Sequence, residues 1–159
     1  MKKKLVVPIL ILLIAVALLG AYKLGLRNGK YSDWLSESKP PLPKVMIDGK
    51  DIQVFGGSYS WCEKPLLSGL ITCVNSDSPS PVDYIKSNNY KAETVISGSV
   101  IEAKAPKGIR EFNLKTTAKD FVGDSYIIPK EKGTYIYYLH AVWRADQGNA
   151  DFFFAVEIK

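Results

Sequence analysis

The sequence predicts a mainly β domain behind one N-terminal apolar helix, and three observations carry that expectation. Eighteen consecutive uncharged residues run from Leu5 to Tyr22. From Val45 onward, short runs of alternating apolar and polar residues are divided by Gly, Pro, Asn, Asp and Ser, the pattern of antiparallel strands joined by tight turns. No internal repeat or long helical periodicity interrupts them. At 8–12 residues per strand and turn, the 115 residues from Val45 to Lys159 suit an antiparallel sandwich of about seven strands.

The apolar segment comes first. Lys2, Lys3 and Lys4 precede it and Pro8 interrupts it near its start; as a helix it covers about 27 Å, close to the hydrocarbon thickness of a bilayer. Residues 1–4 then read as a cytoplasmic tail and 5–22 as a transmembrane signal anchor. The positive-inside bias puts the rest of the chain outside the cytoplasm, giving a single-pass cell-membrane protein. A cleaved signal peptide fits the same flank, because Ala15-Val16-Ala17 is a small-x-small site. The apolar run continues through Leu18, Leu19, Gly20 and Ala21, which a removed peptide does not need, so the retained anchor is favoured; both readings export the domain. Ala21 stands where a lipoprotein box would carry cysteine, so lipid attachment is not expected. A segment apolar on every side has no polar face for water, which argues against a buried core helix.

Residues 23–44 read as a stalk. Lys23, Arg27 and Lys30 follow the membrane, and the three prolines of Pro40-Pro41-Leu42-Pro43 favour an extended, semi-rigid spacer. Tyr31, Trp34 and Leu35 suit the headgroup level of a bilayer. The domain is expected over residues 45–159. Strands are predicted at Ile52 to Trp61, around Leu70 to Val74, and at Lys91 to Ile96, Ser99 to Ala105, Ile109 to Lys115 and Thr134 to Arg144, with a helical turn over Val82 to Asn88. In the long strand Tyr135, Tyr137, Leu139, Ala141 and Trp143 share the expected core face, and Ile136, Tyr138, His140 and Val142 share the other. A turn at Asp146-Gln147-Gly148-Asn149 leads to the last strand, which puts Phe152, Phe154, Val156 and Ile158 on one side and Phe153, Ala155 and Glu157 on the other. These two strands should form a hairpin.

Pro129 to Tyr137, a glycine turn running into Tyr-x-Tyr, resembles the late-strand corner of immunoglobulin-like sandwiches, where a tyrosine hydroxyl ties the preceding loop. Tyr135 would take that role. Tyr137 stands where antibody-type domains carry cysteine, so the likeness is one of architecture. Cys62 and Cys73 are the two cysteines, separated by a segment holding the turn formers Pro65 and Ser68-Gly69. In an exported domain such a pair reads as a structural disulfide closing a hairpin, with a stabilisation of about 3 kcal/mol. A redox pair would use a C-x-x-C turn and a zinc site would need four ligands, and neither pattern is present. Gly57-Ser58-Tyr59-Ser60-Trp61-Cys62, Cys73, and Gly133-x-Tyr135-x-Tyr137 with Val142-Trp143 together resemble membrane-anchored exported proteins of Bacillus-type Gram-positive bacteria. That resemblance implies a location and a disulfide, and no activity.

Charge excludes one function class. The net charge is +5, but without the first three lysines 18 cations face 16 carboxylates, and no basic block interleaved with aromatics follows; nucleic acid is not an expected partner. His140 is the single histidine, and no G-x-S-x-G turn accompanies it, so no Ser-His-Asp triad is assigned. Asp48, Asp51, Asp77, Asp83, Asp120, Asp124, Asp146 and Asp151 fall mostly in turns, where aspartate caps local amides. Asp146, Asn149 and Asp151 lack the twelve-residue calcium-loop spacing, and Gly56-Gly57 and Gly98 lack the helix a phosphate cradle needs. No cofactor or metal is expected. Ile136, Tyr138, His140 and Phe153 form the candidate interaction surface, either covered by a second layer or open to a partner. The leading expectation is a non-enzymatic, membrane-anchored extracytoplasmic domain that binds an envelope protein or polymer. The alternatives are a regulator or inhibitor of a secreted enzyme presenting the Asn75 to Pro81 loop, a hydrolase with a dispersed site, and a sensor needing a membrane partner.

Overall fold

The structure, a computed structural model, describes residues 3–64, 70–87, 90–116 and 123–159; within the first helix the side chains of 3–7, 24, 26–28 and 30 lie outside that description. Expectations resting on Lys2, on the side chains of Lys3, Lys4, Leu5, Arg27 and Lys30, on Pro65, Ser68-Gly69, Asn88 and Asp120 fall outside the described residues. The chain divides into two units, Met1–Asp33 and Trp34–Lys159.

The first unit is helix α1 (Lys3–Lys30). It runs eight residues past Tyr22, through a segment the sequence assigned to the stalk, because no proline stands between Pro8 and Pro40 to stop it. It ends where Ser32 N–H and Oγ donate to the Gly29 carbonyl, at 3.4 and 3.0 Å. Its large apolar side chains from Ile9 to Leu19 are exposed, Leu12 and Leu18 each at 65%. Among the described residues, no helix is long and apolar enough to cross a membrane.

The second unit holds β1 (Lys44–Ile47), β2 (Lys50–Ile52), β3 (Phe55–Cys62), β4 (Cys73–Ser76), α2 (Pro81–Ser87), β5 (Glu93–Val95), β6 (Ile101–Lys104), β7 (Ile109–Thr116), β8 (Gly133–Trp143) and β9 (Gly148–Ile158). The fold is mainly β. A three-stranded antiparallel sheet has the order β2-β1-β6, and a six-stranded sheet the order β4-β3-β9-β8-β7. In the larger sheet β5 pairs in parallel with the end of β9, beyond the stretch that β3 occupies. The hairpin of β1 and β2 was not among the predicted strands. Its signal is Asp48-Gly49, which supplies two positive φ angles (50° and 73°) for a two-residue turn between Val45/Ile47 and Ile52.

Val45, Ile47, Ile52 and Ile101 of the small sheet share one buried cluster with Tyr137, Leu139, Ala141, Trp143, Phe152, Phe154, Val156 and Ile158 of the large one. The core face expected for β8 is therefore the observed one, and Phe152, Phe154, Val156 and Ile158 of β9 share it. Trp61 meets Trp143 edge-on with ring centroids 5.0 Å apart, and Tyr137 stacks on Phe154 at 5.1 Å. The other face of the large sheet is covered at one end by α2. Ser80 caps that helix, accepting from Asp83 N–H at 3.2 Å and donating to the Asp83 carboxylate at 2.6 Å.

The folded unit begins at Trp34, about ten residues before the expected boundary. Trp34 is buried (6% exposed) instead of standing at a headgroup level, and its indole N–H donates to the Ala145 carbonyl at 2.8 Å. Gln147 explains why the segment docks. Its fully buried amide accepts from Leu35 N–H at 2.7 Å and donates to the carbonyls of Leu35 (2.8 Å) and Cys62 (3.2 Å). The turn between β8 and β9 lies two residues earlier than expected, at Arg144 to Gln147, with Ala145 and Asp146 at φ 52° and 54°. Gly148 is needed elsewhere: a Cβ there would collide with the Ser60 carbonyl across the sheet.

Candidate functional site

The bond expected between the two cysteines is present: Cys62 and Cys73 are disulfide-linked and stand directly opposite each other in β3 and β4. It fixes the start of β4, and β4 leads into the loop Ser76 to Pro79. Ser78 N–H donates to Ser58 Oγ at 3.0 Å, which holds that loop down on β3. The Asn75 to Pro81 segment is thus tied at Ser78 and runs into the capped α2.

Beside this loop lies a groove of about 390 Å³. Its walls are two proline-containing segments, Lys39 to Leu42 and Ser76 to Pro79, and its base uses Gly56, Gly57 and Tyr59 of β3 with Ala150 to Phe152 of β9. The pairing of β3 with β9 is irregular between Gly56 and Tyr59. Gly57 must be glycine there, since a Cβ would sit 2.9 Å from the Asp151 carbonyl. The lining mixes apolar contact (Pro40, Leu42, Phe152) with Lys39 as a cation, the serines Ser76 and Ser78, and the carboxylates Asp77 and Asp151. Such a surface suits a polar, extended ligand with some apolar area.

Asp151 also belongs to the outer face of the large sheet. There it pairs across strands with His140, Nδ1 lying 2.7 Å from Asp151 Oδ1, both side chains about half exposed. Asn113 faces His140 from β7, and Tyr138 faces Phe153 one step along. Burial, then the nearby Asp151 charge, raises the Tyr138 pKa. Among the described residues Asp151 is the one side-chain partner of His140, and the groove is lined by Asp151 and not by His140.

The four residues of the candidate surface separate. Ile136, Tyr138 and His140 are half-buried on the outer face, whereas Phe153 is 1% exposed. Phe153 is a correction to the expected surface: Phe55 stacks on it at 5.6 Å and Tyr84 of α2 meets it edge-on at 5.2 Å, so the short helix covers it. The sequence offered Val82 to Asn88 as a helical turn but gave no sign of which face it would cover. Among the described residues no group of three His, Cys, Asp or Glu is placed to hold a metal ion. Asp146 lies 3.3 Å from the Arg110 guanidinium.

The fold and the groove define a two-sheet, disulfide-bonded β protein with an N-terminal helix. No family model, curated protein or solved structure matches the chain.

Proposed function

We propose that this is a non-enzymatic binding domain, held at the outer surface of a cell membrane by α1, that takes an extended envelope protein or polymer in the groove between its two proline-stiffened segments. The observation that carries the reading is the groove, which offers hydrogen-bonding side chains along an open channel. Anchoring is supported by the apolar run Leu5 to Tyr22 behind three lysines and by the exposure of the large apolar side chains of α1. Export is supported by the disulfide, which persists in oxidising compartments. The immunoglobulin-like reading draws support from Tyr135, whose hydroxyl donates to the Glu131 carbonyl at 3.0 Å, as a tyrosine corner does. The interior position of β9 departs from the C-F-G order of that fold, in which the last strand is an outer one.

The test is crosslinking on intact cells with a membrane-impermeant reagent, comparing wild type with Asp77→Arg, a change on the exposed rim of the groove. The expected result is capture of one defined envelope component by wild type and its loss in the variant. Labelling without specific capture would sink the binding reading, and a chain that the reagent never reaches would sink the outward topology.

A further inference from the structure

The small sheet has a charge arrangement that nothing in the core requires. Lys44 of β1 and Lys104 of β6 stand directly opposite each other in the antiparallel ladder. Like charges in that position destabilise a sheet. Lys107 joins them, and the three lysines line a second concavity of about 360 Å³ with Leu35, Pro41 and Leu42. Glu37 is the one carboxylate in that lining, so the concavity carries three cations against one anion. The contrast with the rest of the unit is sharp, since 15 cations and 15 carboxylates follow Asp33. No ion pair among the described residues engages Lys44, Lys104 or Lys107.

Chain length says where such a site can be. The apolar run ends at Tyr22 and α1 continues for eight residues to Lys30, about 12 Å of helix, and the five residues from there to Leu35 in the lining add a contour of at most about 18 Å, long enough to turn back to the surface. If α1 is in a bilayer, the concavity is tethered within reach of the phosphates at its surface. We infer that Lys44, Lys104 and Lys107 form a phosphate-binding pocket that docks the domain onto anionic lipid headgroups of the membrane holding α1. This rests on the anchoring reading above. The lysines act as point charges beside an apolar wall of Leu35 and Leu42, so the pocket selects for a phosphate carried on an amphiphile. Each lysine brought to an anionic surface strengthens association about fivefold.

The experiment uses the full chain in nanodiscs of neutral phosphatidylcholine or of phosphatidylcholine with phosphatidylglycerol. Acetylation of individual lysines is followed by mass spectrometry, and insertion is read separately by co-isolation with the discs. Lys86, exposed on α2 over the other face of the large sheet, is the internal reference. Acetylation at Lys44, Lys104 and Lys107 should slow by about fivefold or more in the anionic discs, with Lys86 unchanged, and 0.5 M salt should remove the effect. Lys104→Gln, at an exposed position, should weaken the protection of Lys44 and Lys107 in a chain that still inserts. Equal slowing at Lys86 would reduce the effect to general surface attraction and overturn the pocket. Slowing in neutral discs on adding inorganic phosphate, matching the anionic discs, would overturn the lipid source. An inserted chain with no slowing anywhere overturns the inference and leaves anchoring intact, whereas a chain that fails to enter either disc refutes anchoring and the docking that depends on it.

Discussion

Replacing Gln147 with alanine removes three hydrogen bonds at once, two to the backbone of Leu35 and one to the Cys62 carbonyl, at a position that solvent does not reach. A buried polar group left unpaired costs about 1–3 kcal/mol, so Gln147→Ala should lose about 3 kcal/mol of stability. Urea unfolding measures it, and a loss below about 1 kcal/mol would mean that the segment re-pairs without the side chain. The same variant should red-shift tryptophan emission as Trp34 leaves the Ala145 carbonyl. Little of this was legible. Gln147 stood in a stretch of turn formers, and nothing local marks a glutamine whose partners are 85 and 112 residues away. Tyr135, by contrast, was expected from the resemblance of its corner to tie the preceding loop, and its hydroxyl donates to the carbonyl of Glu131, four residues earlier.

Among the elements, the hairpin of β3 and β4 owes its register to the Cys62–Cys73 bond. A Cys62→Ala, Cys73→Ala chain should lose about 3 kcal/mol, since a short closed loop restrains the unfolded state by about that much. Amide exchange should locate part of the effect: faster exchange in Cys73–Ser76 and the Ser76 to Pro79 loop, with β8 unchanged. Uniform acceleration across both would show that the bond stabilises the domain as a whole and does not position the groove wall. Strands that alternate were the legible ones, since β7 and β8 each have one clearly apolar face. β9 is buried on both faces from Phe152 to Val156, and there the run of apolar residues left open whether the second face is covered or free for a partner. The docked stretch Trp34 to Glu37 resembles a linker because its partners, the Ala145 carbonyl, the Gln147 amide and the Trp61 indole N–H, are all distant in sequence.

For the molecule as a whole, the tyrosines set an alkaline limit. Burial, with a smaller contribution from Tyr135, pushes Tyr137 up to about 12 from an ordinary 10.0; burial also raises Tyr90, next to Glu93, and Tyr138. A pKa higher in the folded than in the unfolded state means stability that is full below pH 10 and lost as pH climbs toward 12. Each fully buried group contributes a slope of up to about 1.4 kcal/mol per pH unit in that window. The Tyr137 hydroxyl has no hydrogen-bond partner among the described residues. Tyr137→Phe should therefore be no less stable than wild type at pH 7, and its urea midpoint should fall less steeply between pH 10 and 12. Parallel curves for the two proteins would refute that assignment.

Strand order also governs when this domain can exist. β9, last in sequence, lies in the middle of the large sheet, where Phe55, Val95 and Gly133 all pair with residues between Phe153 and Ile158. Among the described residues β5 has no other partner in that sheet, and the β3–β4 and β7–β8 pairs are joined only through β9, so all must wait for it. The loops to be closed are long, which makes assembly slow. A domain threaded through a narrow pore from its β1 end would travel without its central strand and complete its sheet after residues 148–158 had followed, so the timing of folding is written into the position of one strand.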